Sequence, residues 1–447
     1  MRAATWVVIA IAANAQMAAD PQIVLARARD RLAQRTGRLE NYTCIETVNR
    51  SYFTPPKSDH RLSCDEIRGA KRSGKYKLAL DLTDRLRIDV KVSEGHEIAS
   101  WVDAGQFASN VLDLVGGGPF GTGPLGTQIA DIFEGNDTRF QYLGESTANG
   151  ETLLEYSYQV PLQASHEQIR AGLGWINSAY SGNFWIDPAT YDLNRLTVVT
   201  SELPPATGAC EVATSAAYKR IPIGDREFLA PMTSTLRFVM TDGSETENVT
   251  TYVSCHEYHG EATIRFDDVD ADPAGDKKSG AATAPLTVPV GLSFTVALQA
   301  PIDTDTAAVG DLVAAVVNKP VTEGNRKQVI LPKGSVVRGR ITRVQHWRGA
   351  AARFIVSMRL ESVEIGGVSM PLHAVPDRRA EMARASEMAM RRRGVEIFVP
   401  PPGEPETNTS FVFRTAKDRY VIPKGYESVW MTVAGPPVDP TDFRPQP

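Results

Sequence analysis

Along residues 77–92 the chain alternates apolar and polar side chains. Leu78, Leu80, Leu82, Leu86, Ile88, Val90 and Val92 take even positions; Lys77, Asp81, Arg85, Arg87, Asp89 and Lys91 take odd ones. Period two is the geometry of a strand with one buried face, so a long half-buried strand is predicted. Asp84 interrupts the apolar face and predicts a bend or bulge. Shorter strands are expected around Leu154-Tyr156-Tyr158-Val160, Phe184-Trp185-Ile186 and Leu196-Val198, and over 232–240 and 249–255. Residues 20–36 predict a helix, with Asp20 as cap, Pro21 in its first turn and Gly37 after its end. Leu25, Ala28 and Leu32 form its apolar stripe. Residues 107–133 read as helical and Gly-rich. Together, residues 20–265 predict one long, curved, mostly antiparallel sheet with a few helices.

The texture then changes. Residues 266–285 are dominated by Asp, Gly, Ala, Lys and Pro and predict a flexible linker. Beyond it, Val288-Pro289-Val290-Gly291, Leu331-Pro332-Lys333-Gly334 and Ile422-Pro423-Lys424-Gly425 repeat one apolar-Pro-x-Gly turn. Strands over 293–298, 336–344, 354–363 and 429–433 predict a small β-barrel domain across 286–433. A Met/Ala/Arg helical insert is expected at 377–393, with Met382, Ala385, Met388 and Ala389 near one face, and a disordered tail at 434–447. The fold class is therefore mainly β with a few helices (α+β): a curved antiparallel half-barrel sheet followed by a small β-barrel.

Residues 20–265 resemble lipoprotein-carrier (LolA-like) sheet proteins. The shared features are the helix from Asp20, the long alternating strands after Tyr42 and the phrase Phe184-Trp185-Ile186-Asp187-Pro188. The resemblance implies a half-barrel that holds acyl chains or other apolar ligands. Residues 286–433 resemble the TrbI-like barrel scaffold of type IV secretion, on the three Pro-x-Gly turns and Val329-Ile330-Leu331-Pro332-Lys333-Gly334-Ser335. That implies a barrel docked to an envelope partner. The insert departs from the family, because Arg378, Arg379, Arg384, Arg391, Arg392 and Arg393 stand where the family carries an apolar helix.

Export reinforces both readings. Arg2, the apolar run Trp6-Val7-Val8-Ile9-Ala10-Ile11-Ala12 and Ala13-Asn14-Ala15 predict a signal peptide over residues 1–15, cleaved before Gln16. The expected location is periplasmic or secreted, with no transmembrane segment after cleavage. A net charge of -5 over 447 residues excludes a bulk nucleic-acid footprint. An even cysteine count in an exported chain favours disulfides, and Cys44, Cys64, Cys210 and Cys255 allow three pairings. A hairpin turning at Thr54-Pro55-Pro56-Lys57 places Cys44 opposite Cys64. Cys210–Cys255 then follows by elimination. Those two lie on strands one and three of a meander, roughly 9–10 Å apart, so the sheet must curl to join them. Reduced, zinc-binding cysteines are the alternative, without a C-x-x-C pair to support them.

Motifs for chemistry are sparse. Gly121-Thr122-Gly123-Pro124-Leu125-Gly126 matches the dinucleotide-binding glycine pattern, yet the segment before it reads as helix where a strand is required, so a plain loop is expected. In Cys255-His256-Glu257-Tyr258-His259 the two histidines point to opposite faces of a strand and cannot share a metal without a bulge. Asp268-Val269-Asp270-Ala271-Asp272 begins like a calcium loop but has Pro273 and Ser279 where Gly and Glu belong. His60, His96, His166, His346 and His373 are isolated, and no Gly-x-Ser-x-Gly elbow occurs. The expectation is a non-enzymatic envelope protein with no cofactor and no metal. Its ligand would be a lipid or other apolar molecule, with Trp101, Tyr156, Tyr158 and Trp185 as candidate lining, each equally readable as core. The alternatives are an architectural component of a secretion or surface complex, and an exported metal-dependent hydrolase using His256 and His259.

Overall fold

The computed structural model of the chain describes residues 20–434 apart from 37–41, 58–60, 94–95, 105–106, 109–113, 115–117, 149, 172–173, 201–202, 258–287, 323–327, 350–351, 378, 381–409 and 416. The leader, the linker, the body of the basic insert and the tail lie outside the described residues. Helix α1 (Pro21–Thr36) forms where its cap and stripe predict, and buries Val24, Ala28 and Leu32.

The strands that follow are β1 (Tyr42–Thr54), β2 (Ala79–Ser93) and β3 (His96–Trp101), with α2 (Cys64–Arg72) between β1 and β2. Helix α3 (Thr127–Glu134) leads into β4 (Arg139–Ala148) and β5 (Glu151–Val160). A small separate hairpin, β6 (Gln168–Ala171) and β7 (Gly174–Asn177), precedes β8 (Tyr180–Ile186) and β9 (Leu193–Thr200). Three long strands complete the module: β10 (Ala209–Ile223), β11 (Arg226–Met240) and β12 (Glu245–Glu257). All pairings are antiparallel, in the spatial order β3-β2-β1-β12-β11-β10-β9-β8-β5-β4.

Two sequence expectations change here. The disulfides are Cys44–Cys255 and Cys64–Cys210, not Cys44–Cys64 and Cys210–Cys255. The chain makes no hairpin after Thr54. Cys64 instead opens α2 behind the N-cap Ser63, whose side chain accepts from the Glu66 N–H while the Glu66 carboxylate accepts from the Ser63 N–H. This reciprocal capping box is the local signal for a helix there. Strand β1 then inserts between β2 and β12, which brings the Cys44 and Cys255 Cα atoms to 4.0 Å. Asp84 makes no bulge either. It stays in register opposite Arg50, and the irregularity in this strand pair falls at Tyr52/Phe53.

The second module is a closed six-stranded antiparallel barrel. Its strands are β13 (Ser293–Leu298), β15 (Leu312–Val317), β18 (Val336–Trp347), β19 (Arg353–Ile365), β20 (Val368–Pro376) and β23 (Glu427–Thr432), and β23 returns to β13. The short pairs β14 (Ile302–Asp303) with β22 (Val421–Ile422) and β16 (Val321–Thr322) with β17 (Val329–Leu331) clip its loops, and β21 (Ser410–Arg414) adds to β19. Gly291, Gly334 and Gly425 of the three repeated turns all take left-handed backbone, at φ +85, +92 and +81. That is the corner the Pro-x-Gly pattern calls for.

The two modules share a backbone-bonded seam. Leu82, Thr83 and Asp84 of β2 pair with Trp347, His346 and Gln345 of β18. Further along the same edge, Arg87 N–H donates to Val309 O and Val309 N–H to Arg85 O, both at 2.9 Å. Arg340 reaches across to donate to Val102 O (2.8 Å), and Arg87 pairs with Asp311. Val48, Leu86 and Val309 form a small apolar cluster at the seam, flanked by Trp101 and Phe120.

Candidate functional site: the inner face of the curved sheet

The inner face changes character across the sheet. Over β4, β5, β8 and β9 it is aromatic. Phe184 is T-shaped to Phe133 of α3 (4.9 Å) and stacked with Tyr156 (5.1 Å), and Tyr156 in turn contacts Tyr142 (5.4 Å). Helices α1 and α3 roof this array, with Val24, Ala28 and Leu32 from one and Ile129 and Ile132 from the other in the same cluster. Polar ties fix the roof: Tyr156 OH donates to Pro21 O (2.8 Å) and Arg29 Nε to Phe133 O (2.9 Å).

The sequence candidates do not converge. Tyr156 and Tyr158 are both 1% exposed within this aromatic core, and Tyr158 OH donates to Thr197 O at 2.7 Å. Burial pushes the Tyr156 phenol up to about 12. Trp185 points to the other side of the sheet, under the Arg195 guanidinium at 5.2 Å. Trp101 ends β3 at the seam, packed so closely that a Cβ on Gly310 would lie 2.5 Å from its ring.

Over β1, β11 and β12 the same face is polar. Glu46, Arg50, Asn248, Thr250, Tyr252 and Ser234 are buried there. Arg50 donates twice to Asp84, at 2.6 and 2.8 Å, with both side chains 5% exposed. Ser234 and Tyr252 hydroxyls meet at 3.2 Å. Burial, reinforced by nearby Glu97, holds the Glu46 carboxyl well above the usual carboxylate range.

The glycine motif covers this floor, and two of its glycine amides are already occupied. Gly123 N–H and Gly126 N–H donate to the Glu97 carboxylate at 2.8 and 3.3 Å. Arg35 donates to Leu125 O (2.7 Å) and Tyr218 OH to Pro124 O (2.9 Å), pinning the loop from both sides. Amides at a helix start favour an anion; here the chain supplies its own carboxylate. Burial nevertheless pushes Glu97 up, and lowers Arg35 to about 10. On the far side of α3, Asp131 accepts from Tyr180 OH (2.5 Å) and contacts His166 Nδ1, and burial raises nearby Glu167 to about 7.

His256 Nδ1 lies 2.8 Å from the Ser254 carbonyl oxygen, while His259 and the 268–272 acidic run lie outside the described residues. Among the described residues no group of three or more His, Cys, Asp or Glu could hold a metal ion, and no helix is long and apolar enough to cross a membrane. Glu46, Glu97, Arg35 and the Arg50–Asp84 pair were not singled out from sequence as site residues. A signal existed for some of them: Glu46 and Arg50 stand at inward even positions between Cys44 and Val48 and beyond, and Asp84 breaks the inward row of β2.

No family model matches the chain, and no curated protein matches it. Similar solved structures include a LolA superfamily protein from Nitrosomonas europaea, with 8% identity over 54% of this chain and 94% of that one, TM-score 0.26. A DUF1329 family protein from Desulfovibrio piger has 11% identity over 54% of this chain and 95% of that one, TM-score 0.27. ComB10 of the Com type IV secretion system of Helicobacter pylori has 13% identity over 32% of this chain and 86% of that one, TM-score 0.20. The two resemblances named from sequence, to LolA-like and to type IV secretion proteins, are thus both represented among these structures.

Proposed function

We propose that this chain is an exported, non-enzymatic protein of the cell envelope. In this reading it holds an apolar ligand between its curved sheet and the helical roof, and its barrel contacts an envelope partner. The observation that carries the reading is the roof itself. The aromatic half of the inner face is covered by two helices; the apolar stripe that α1 sets against it is Val24, Ala28 and Leu32, and buried Arg35 at its end is tied to Leu229 O and Leu125 O. Each Val or Leu buried that way contributes about 1.5–3 kcal/mol. An acyl chain laid on Tyr156, Phe184 and Phe133 would supply as much by displacing α1. Trp101 and Trp185, which lie away from that array, have no part in this mode.

A second reading, an architectural role in a secretion or surface complex, is supported by the bonded seam between the modules. Native purification followed by lipid mass spectrometry separates the two. Co-purified lipid, together with enhanced emission of an added fluorescent fatty acid that the purified lipid competes away, supports the carrier reading. A lipid-free protein that does not enhance the emission of a fluorescent fatty acid refutes it and leaves the architectural role.

A further inference from the structure

A cleft of about 250 Å³ opens on the seam, with one wall from β1 and β2 and the other from the barrel. Its charges cancel. Arg50 is matched by Asp84, Arg348 by Asp418 at 2.8 Å, and Arg85 faces Asp305, to whose main-chain carbonyl it donates. Burial, helped by Arg348, pushes the His346 imidazole down and favours its neutral form. An oxyanion or a metal cation entering this cleft would meet no net field of opposite sign.

What the cleft does offer is a mixed set of unengaged hydrogen-bonding groups. Among the described residues, the hydroxyls of Ser51 and Thr83, both ring nitrogens of His346 and the carboxylate of Asp305 have no hydrogen-bond partner, and buried Arg348 Nε has none either. Arg348 Nε can only donate, the Asp305 carboxylate can only accept, and the hydroxyls and the neutral imidazole do both. A hydroxyl group is the ligand chemistry that satisfies such a mixture, because it also donates and accepts. One wall is flat: the His346 ring lies stacked on Phe354, centroids 4.1 Å apart and planes 25° apart. The volume falls below the roughly 300–1,000 Å³ of sites for drug-sized ligands, which suits a single small ring.

We propose that the seam cleft binds a neutral polyhydroxylated ligand of monosaccharide size, such as the terminal sugar of a glycan. The site needs Ser51 and Thr83 from the sheet together with Asp305, His346 and Arg348 from the barrel, so it exists only while the modules are docked, and its ligand strengthens the docking. This inference is independent of what the inner face of the sheet holds.

The test is saturation-transfer NMR on the full chain with glucose, galactose, mannose and N-acetylglucosamine, with inorganic phosphate run in parallel by thermal shift. At least one sugar should receive transfer. Asp305→Ala, on an exposed loop, and Thr83→Val should each weaken that sugar by about tenfold or more, the loss expected for a hydrogen bond to a charged or buried group. Both variants should melt as the parent does; if Thr83→Val fails to fold, Asp305→Ala decides alone. Absence of transfer to all four sugars, transfer unchanged in Asp305→Ala, or stabilisation by phosphate without sugar binding would each overturn the proposal.

Discussion

Replacing Asp84 with Ala leaves the Arg50 guanidinium buried without its counter-charge. The pair is bidentate, both side chains are 5% exposed, and Tyr52 OH adds a 3.3 Å contact to the same carboxylate. Arg50 has little room to swing toward water, because a Cβ on Gly118 would already lie 2.8 Å from its Nη1. Removing one partner of such a pair costs about 3–5 kcal/mol, most of it the desolvation of the charge left behind. The double variant Arg50→Leu/Asp84→Ala, set against each of its single variants, removes both charges and should recover most of that loss, since no charge is then left buried without its partner. Urea unfolding followed by tryptophan emission, without reductant, gives the four corners of the cycle. The expected coupling is at least about 2 kcal/mol, within the range for groups in one network. A strictly additive double variant, or an Asp84→Ala loss under about 1 kcal/mol, would show that the pair is not a buried, mutually dependent ion pair.

Other expectations follow from the same geometry. Non-reducing peptide mapping should recover Cys44 joined to Cys255 and Cys64 joined to Cys210, and no Cys44–Cys64 peptide. The Cys64→Ser/Cys210→Ser variant should lose about 5 kcal/mol in a chain-entropy account of a loop spanning 146 residues, read as a lower melting temperature. Glu167 is raised from 4.5 to about 7, so the folded chain prefers it protonated. Its contribution is full below about pH 4.5 and is lost as pH rises through 7. Glu167→Gln should flatten the fall in melting temperature across that window, and an unchanged slope would place the titration elsewhere. Gly310→Ala would set a methyl 2.4 Å from Arg87 O at φ +101, and should loosen the seam by about 2–3 kcal/mol, measured as earlier protease nicking or a lower melting temperature.

Much of this chain is readable locally. The alternation of residues 77–92, the capped helix after Asp20 and the three Pro-x-Gly corners each depend on a few neighbouring residues, and each takes the structure those residues prefer. The curved antiparallel sheet and the small barrel follow from the same patterns repeated. What local pattern could not decide was which distant segments meet. Because β1 lies between β2 and β12, the cysteines pair across more than a hundred residues, and Asp84 answers Arg50 instead of bending its strand. The glycine motif likewise becomes a seat for Glu97 only because β3 runs beside it. The seam cleft exists because one edge of β2 is long enough to serve both modules. Periodicity is a property of consecutive side chains and survives in the linear text. A partner across space is set by the closure of a whole sheet, which the chain reaches only once it is folded.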